Sequence, residues 1–559
     1  MLKSFFSVLL AIELVLPSAF AKIIQPPTCG WEDFCRAYYG YLDSDGVVHA
    51  GAEAGDTIVL PAGAATWGRE NSVNGNKMWI INPITIKGQG DNTVITMDES
   101  GPTYVNGMIN VWAVVTVKDL KIIGAATRPV TVFSMEAFTN PATGYQMRGG
   151  FRFTNITYEG RSDGYFAYVG NWINTGLIDH CRLSCTLSYA ELIFMRGDGN
   201  AWELPSTVGG PLNVFIEDCT FNDTGYVCDA NANARVVVRY NTMNGTHKVD
   251  GHGLASNTPP RGVRNMEIYG NTWTKAGAGN WANIELRGGT GMVFNNSCVT
   301  GWAFLKDYAY DAEPHGWPNF GVTGTSVAGN PTVITTDKPH NYQTGWPVWV
   351  QASYGNSEGT IFSTFSITVT GQNTFTIPFA STVGGRIDYA TAYKTPFDYP
   401  IRDQIGNGRD GGTREPVYWF NNTKAGAPWP RNLTAVCASA IRFYQAQTGD
   451  PNATFTERDI VKANRDFFAD AGFDNEAGVS IGTAAQMQAL SGSVVGSGFW
   501  VTDEADWNRS KAGRDGQLYV WDGTAWKLRY TPYTYPHPSN VDPNAPPVAP
   551  TGLKGVQIK

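Results

Sequence analysis

Eight short runs along this chain end in the same way, and their alignment leaves few folds open. They span 115–120, 151–156, 176–181, 214–219, 236–241, 266–271, 291–296 and 417–422. Three positions before each end stand Val117, Phe153, Ile178, Ile216, Val238, Ile268, Val293 and Trp419, all apolar. Five before the end every residue is apolar or Gly. Two before it stand Lys118, Thr154, Asp179, Glu217, Arg239, Tyr269, Phe294 and Phe420, mostly polar or aromatic. This is the period-2 alternation of a strand with one face turned inward. The ends lie 36, 25, 38, 22, 30, 25 and then 126 residues apart. A strand returning in one register every 20–40 residues or so predicts a solenoid. The alternation excludes helical repeats, and a sandwich does not restore the same register at each turn. The expected fold is all-β, a parallel β-helix. Its last aligned position runs to Asn241, Asn271, Asn296 and Asn422, whose amides are expected to stack and hydrogen-bond from coil to coil in a structural role.

Composition narrows the function classes. Charged residues are only 16% of the 559, aromatics reach 13%, and the net charge is −8. A mildly acidic chain without a basic run is a poor nucleic-acid binder, and a polyanionic substrate would need a bridging cation. Residues 1–21, MLKSFFSVLLAIELVLPSAFA, carry Lys3, an apolar stretch and a small-x-small end at Ala19-Phe20-Ala21, the pattern of a secretory signal peptide. No later stretch has the 18–20 or so apolar residues of a membrane span. A secreted, extracellular protein is expected. Export permits disulfides; of the eight Cys, the close pairs Cys29/Cys35 and Cys219/Cys228 are candidates. No CxxC occurs, which argues against zinc.

Residues 55–63 (GDTIVLPAG), 84–90 (ITIKGQG) and 93–95 (TVI), together with the Asn ladder and the Asn-Thr and Asn-Ser bends, resemble the opening coils of the pectate-lyase-like right-handed β-helix superfamily. The resemblance covers about 47–322 and 386–455. It implies the fold, and its members include polysaccharide lyases, glycoside hydrolases, phage tailspikes and adhesins, so it leaves the activity open. The expected order is a signal peptide at 1–21, β-helix at 22–322, an inserted small β-barrel at 323–385, further β-helix at 386–455, a C-terminal cap at 456–543 and a Pro-rich tail at 544–559. The insert resembles the FCCH-type module named in ubiquitin-activating enzymes and common in phage tail proteins; ubiquitin chemistry does not follow from it. His340 is expected to be a turn residue there. A hairpin is expected around Asp522-Gly523, and the cap is expected to close the open end of the coil.

In that superfamily the glycan groove usually runs along the strand before the aligned one. There stand Glu191-Leu-Ile-Phe-Met-Arg196, Val227-Cys-Asp229, Asp250-Gly-His252, Glu285-Leu-Arg287 and Ile401-Arg402-Asp403-Gln404. Charged residues thus recur near one corner in successive coils. Asp229, Asp250 and Glu285 are candidate Ca²⁺ ligands, because hard cations take several carboxylate oxygens. Uronate β-elimination needs a positive group on the substrate carboxylate and a base for the adjacent proton. Arg287 is the candidate base or clamp, a role implied by similar lyases; His252 is the alternative base, and Arg196 completes the catalytic candidates. Arg402, Asp403 and Tyr269 are the candidate substrate contacts. Each of these has a structural alternative, a salt bridge for Glu285–Arg287 and a turn for Asp250-Gly and His252. Asp179, Glu217, Arg239 and Tyr269 form a second stripe, expected to be a charge-paired solvent face. The leading expectation is a Ca²⁺-dependent lyase on an acidic polysaccharide; a non-catalytic adhesin or tailspike-like binder and a glycoside hydrolase, which needs two carboxylates, are the alternatives.

Overall fold

The computed structural model describes residues 21–540 except 69–77, 99–107, 128, 136–137, 140–145, 148–149, 171–174, 188–189, 198–201, 203, 253–261, 275–282, 300–302, 306–321, 354–359, 393–404, 410–412, 429–430, 433–462, 471–477 and 491–493. The expected signal peptide up to residue 20, Cys437, the Pro-rich tail and both Arg402 and Asp403 lie outside the described residues.

The repeat folds as its register requires. Val117 pairs in parallel with Phe153, Phe153 with Ile178, and the ladder continues through Ile216, Val238, Ile268, Val293 and Trp419. All eight side chains are at most 1% exposed, and burying each aliphatic one stabilises the coil by about 1.5–3 kcal/mol. Two more parallel ladders complete each turn. One follows the aligned run, as in Arg182–Cys185 stacking on Thr220–Asn231 and then on Thr242–Gly251. The other precedes it and runs through Met78–Ile80, Ile109–Val111, Phe133–Met135, Ala167–Val169 and Glu191–Arg196. The result is a three-sided right-handed parallel β-helix, the hand that parallel crossovers almost always take.

A bend device that the alignment did not single out turns one face into the next. The residue before the last in every aligned run is left-handed: Asp119, Asn155, His180, Asp218, Tyr240, Asn295 and Asn421 have φ of 52–58°, and Gly270 has φ 68°. Asp, Asn and Gly tolerate this region best, so the enrichment of these types there was a readable signal. The inward Asn ladder sits directly after the bend. Asn241 Nδ2 donates to Asn271 Oδ1 (3.0 Å), Asn271 to Asn296 (3.0 Å) and Asn296 to Asn422 (2.8 Å). Earlier coils place Cys181 and Cys219 at this position, and the Cys219 thiol donates to the Ile178 and Glu217 carbonyls much as the Asn271 amide donates to those of Val238 and Tyr269. The seven described cysteines are buried thiols. Neither Cys29/Cys35 nor Cys219/Cys228 forms the expected disulfide; Cys219 is instead a member of the ladder.

The N-terminal end is closed by the helix Trp31–Tyr39, whose Trp31, Phe34, Cys35 and Tyr38 enter the core. Their i, i+3, i+4, i+7 spacing is the helical signal. The insert forms its own antiparallel seven-stranded sheet between Val322–Val327 and Gly385–Ala392. Its edge strands, Thr360–Ser366 and Thr368–Gly371, are consecutive in the chain, which rolls the sheet around Ile334, Val350, Phe375 and Ile387. His340 is buried, accepts at Nδ1 from the Tyr342 amide and faces the Gly371 and Thr374 carbonyls with Nε2, a structural turn residue.

The C-terminal region corrects two expectations. Val479–Gly482, Gly498–Val501, Gln517–Trp521 and Trp526–Tyr530 form a four-stranded sheet, with the expected hairpin held by Asp522 Oδ1 accepting from the Thr524 and Ala525 amides. This sheet lies along the side of the solenoid, against the outward faces of Phe215, Tyr269, Phe294, Tyr418 and Phe420. The stripe expected to be a charged solvent face is therefore buried. Arg239 and Glu217 are both fully buried and paired, and Arg239 also donates to the carbonyls of Tyr533 and Thr534. Arg152 pairs with Asp179 at 3.0 Å and reaches the Ser539 carbonyl. Tyr269 is 1% exposed, stacked on Phe294 with ring centroids 4.6 Å apart, and its hydroxyl accepts from Arg239. It cannot contact a substrate, because the C-terminal sheet covers it. Among the described residues no helix is long and apolar enough to cross a membrane.

Candidate active site

The face of the solenoid preceding the aligned strand gathers most of the candidate residues. Register pairs Phe194 with Asp229, Asp229 with Asp250 and Asp250 with Glu285. Strand alternation sends Cys228, Ala230, Val249, Ile284 and Leu286 into the bore and leaves these carboxylates on the outer side. A bulge at Val227 keeps both Val227 and Cys228 in the core while Tyr226 and Asp229 stay on the outer face. Period 2 adds Lys248 two residues before Asp250, His252 two after it, and Arg287 two after Glu285. Asp229, Asp250, Glu285, Lys248 and Arg287 are each at most 6% exposed; His252 and Arg196 are half-buried. Arg196 pairs with Asn231, one coil from His252.

The charges are bonded to each other. Arg287 grips Asp250 twice, Nε to Oδ1 at 3.2 Å and a terminal nitrogen to Oδ2 at 2.5 Å. Lys248 Nζ lies 3.0 Å from Asp250 and contacts Glu285 as well, with the Tyr226 ring 4.9 Å beneath it. Burial pushes the Asp250 carboxyl up, but Arg287 and Lys248 outweigh it and hold it at about 2. Burial lowers Arg287, and Asp250, Glu285 and Asp229 reverse this and raise it above the usual guanidinium value. Arg287 therefore stays protonated, which removes the base role expected for it.

Calcium does not fit this donor set. Asp250 and Glu285 already carry the Lys248 ammonium at contact distance, Asp250 also carries the Arg287 guanidinium, and among the described residues no group of three or more His, Cys, Asp or Glu side chains is arranged to hold a metal ion.

A second carboxyl relationship sits beside the first. Glu191 hydrogen-bonds both Asp229 and Tyr165; burial, the largest cause, carries it up to about 7. Asp229 lies well above the usual carboxylate range, first through burial and then through the charges of Asp250 and Glu191, and its Oδ1 is a buried oxygen without a hydrogen-bond partner among the described residues. Burial thus raises the carboxyls at one end of the cluster while two cations lower Asp250, a separation of the kind general acid–base chemistry uses. Glu191 and Lys248 were missed as candidates. Each lies on a strand that was inspected, and Lys248 was readable as the i−2 neighbour of Asp250 on one strand face. Tyr165 and Phe194, which adjoin them, had no charge to mark them.

No protein-family model matches the chain, and no curated protein matches it. Among solved structures the chain is similar to pectin methylesterase PemA from Erwinia chrysanthemi, at 12% identity and TM-score 0.28 over 41% of this chain and 73% of that one. It is similar to an alginate lyase from Paenibacillus sp. str. FPU-7 at 14% and 0.31, over 50% and 97%, and to a tailspike protein of E. coli bacteriophage HK620 at 10% and 0.21, over 64% and 93%. The class is defined by the chain's own strand register: a parallel β-helix bearing a buried cluster of charged side chains on one face.

Proposed function

We propose that the protein cleaves glycosidic bonds of a polysaccharide by acid–base chemistry at this cluster. The observation that carries the reading is the Glu191–Asp229 carboxyl pair on adjacent coils, raised by burial, beside Asp250, which Arg287 and Lys248 hold below the usual carboxylate range. The pair gives a proton to the leaving oxygen as the glycosidic bond breaks, and the carboxylate so formed takes the proton of the water that adds to the sugar. Asp229 and Asp250 stand on adjacent coils, about 4.8 Å apart along the ladder, close enough for the charge of Asp250 to raise the Asp229 carboxyl. Hydrolysis is favoured over β-elimination because Arg287 and Lys248 are turned onto carboxylates of the protein. One observation supports elimination as a second reading: His252 lies half-buried on the same face, two residues beyond Asp250. In both readings the segment 1–21 directs export and the insert is an FCCH-type module.

The test is incubation of the full chain with neutral and acidic polysaccharides, with product analysis by mass spectrometry. Saturated fragments that disappear in Asp229→Asn support hydrolysis. Unsaturated fragments that disappear in His252→Ala move the assignment to elimination. Glycan binding without any product, unchanged in both variants, replaces the enzyme reading with a binding protein.

A further inference from the structure

Past its last strand the C-terminal region runs along the solenoid as a strap. The Tyr530 hydroxyl donates to Glu267. The carbonyls of Tyr533 and Thr534 accept from the Arg239 guanidinium. The His537 amide donates to Glu217, and the Ser539 carbonyl accepts from Arg152. These partners stand on coils that follow one another toward the N-terminal end, with the coil of Asp179 between those of Glu217 and Arg152. From Tyr530 to Ser539 the chain therefore passes four ladder steps, each about 4.8 Å. The strap crosses the strands and heads for the first coils.

The next coil in that direction is the one at 115–120. Its Val115 and Val117 enter the core, so strand alternation turns Thr116 and Lys118 outward. Both are nevertheless buried, at 3% and 5% exposure, as are Arg152 and Thr154 one coil on, at 2% and 6%. Their ladder neighbours on the other side, Thr85 and Lys87, are only half-buried. The cover over this face thus reaches one coil past the Ser539 contact and thins at the next. A buried ammonium needs oxygen acceptors. In register Lys118 stands between Lys87 and Thr154, neither of them a carboxylate.

We infer that residues 541–543, which follow directly on Asn540, dock on the outward face of the 115–120 coil, with their backbone carbonyls accepting from Lys118. Two observations carry this. At about two residues per coil the chain comes level with this coil at 541 and 542, within the 3.3–3.6 Å or so that each extended residue spans. Cations on this face already hold the strap by its carbonyls, Arg239 at Tyr533 and Thr534 and Arg152 at Ser539, so Lys118 repeats an established contact. The docked segment ties the C-terminal sheet to the first coils. The reading of the carboxyl cluster plays no part in this inference.

Amine acetylation read by peptide mass spectrometry tests this, with Lys87 as the internal reference. In the full chain Lys118 is expected to react roughly tenfold more slowly than Lys87, and deletion of 541–559 is expected to bring the two within about twofold of each other. Deletion of 545–559 is expected to leave Lys118 protected. From the other side, Lys118→Met in the full chain is expected to speed thermolysin cleavage between Asn540 and Val541 roughly fivefold. Protection of Lys118 that survives deletion of 541–559, in a chain whose circular dichroism matches wild type, overturns the inference. The cover then falls to the hairpin of Phe138–Thr139 and Gln146–Met147, which precedes the neighbouring coil. Protection already lost on deletion of 545–559 overturns it too, because the occupant then lies further along the chain. Where the longer deletion alters the circular dichroism, the Lys118→Met cleavage rate decides, and an unchanged rate overturns the inference.

Discussion

Glu191 lies beside Asp229 of the neighbouring coil, and burial raises both carboxyl groups. An isolated surface Glu would be ionised at neutral pH. Burial is what changes the balance, and Asp250 deepens it by placing a fixed negative charge on the next coil.

This pair predicts a pH profile. If protonated Glu191 is the proton donor, the rate falls as pH rises through about 7, where Glu191 loses its proton. Glu191→Gln removes the donor and lowers kcat by roughly 100-fold or more. Initial rates measured between pH 4 and 9 on the responsive glycan check both statements; a profile unchanged by the substitution contradicts them.

The Arg287–Asp250 pair predicts a large stability loss on one substitution. Arg287→Met leaves Asp250 buried with a single cation, Lys248, and is expected to cost about 3–5 kcal/mol in urea unfolding. Asp250 is held below its ordinary value, so its contribution is complete above an unfolded value of about 4 and is lost as pH falls toward about 2. Because Asp250 and Glu285 already carry Lys248 and Arg287, Ca²⁺ and chelator are expected to leave the unfolding midpoint unmoved.

A pH effect of the opposite sign is expected where the C-terminal sheet docks. Glu267 is fully buried, and burial raises it to about 7 although the Tyr530 hydroxyl (2.6 Å) and the Gly209 amide (2.8 Å) both donate to it. Arg239 acts on it only through its field. A carboxyl raised on folding contributes stability that is whole below the unfolded value and is lost as pH rises through the folded one. Stability is therefore expected to decline from pH 5 to pH 8, by up to about 1.4 kcal/mol per pH unit for this group. Glu267→Gln lowers that slope by one proton; Glu217 and Asp218, also raised by burial, keep part of it. Denaturant midpoints at the two pH values measure the difference.

The Asn ladder predicts an ordered pair of substitutions. Asn271 accepts from the Asn241 amide and side chain and donates to the carbonyls of Val238 and Tyr269 and to Asn296. Asn271→Ala orphans several buried groups and is expected to cost about 3 kcal/mol or more, since each costs about 1–3 kcal/mol. Asn271→Cys is expected to cost less, because Cys219 at the same ladder position donates to the two equivalent carbonyls. Equal unfolding midpoints for the two variants would contradict this account.

The misreading of the second stripe shows how far sequence reaches. Asp179, Glu217, Arg239 and Tyr269 alternate with core residues as surface groups do, and on the aligned strands they do point outward. Glu217 accepts from the His537 amide and Arg239 donates to the Tyr533 and Thr534 carbonyls, groups about 300 residues away. No local pattern announces a second layer that distant, and a buried ion pair has the same residue types as an exposed one. The carboxyl cluster was half legible for a related reason. Asp229, Asp250, Glu285, His252 and Arg287 were found because the coil repeats, whereas the pairing that takes Arg287 out of use and links Glu191 to Asp229 depends on side-chain reach across coils.

Sequence alone determined the solenoid, its strand register and its Asn ladder, because each coil repeats a two-residue alternation that only one stacking buries. Tertiary structure alone decided which outward charges are buried, which cations are consumed and which carboxyl keeps its proton, because these follow from water exclusion and distance between residues that the chain order does not bring together.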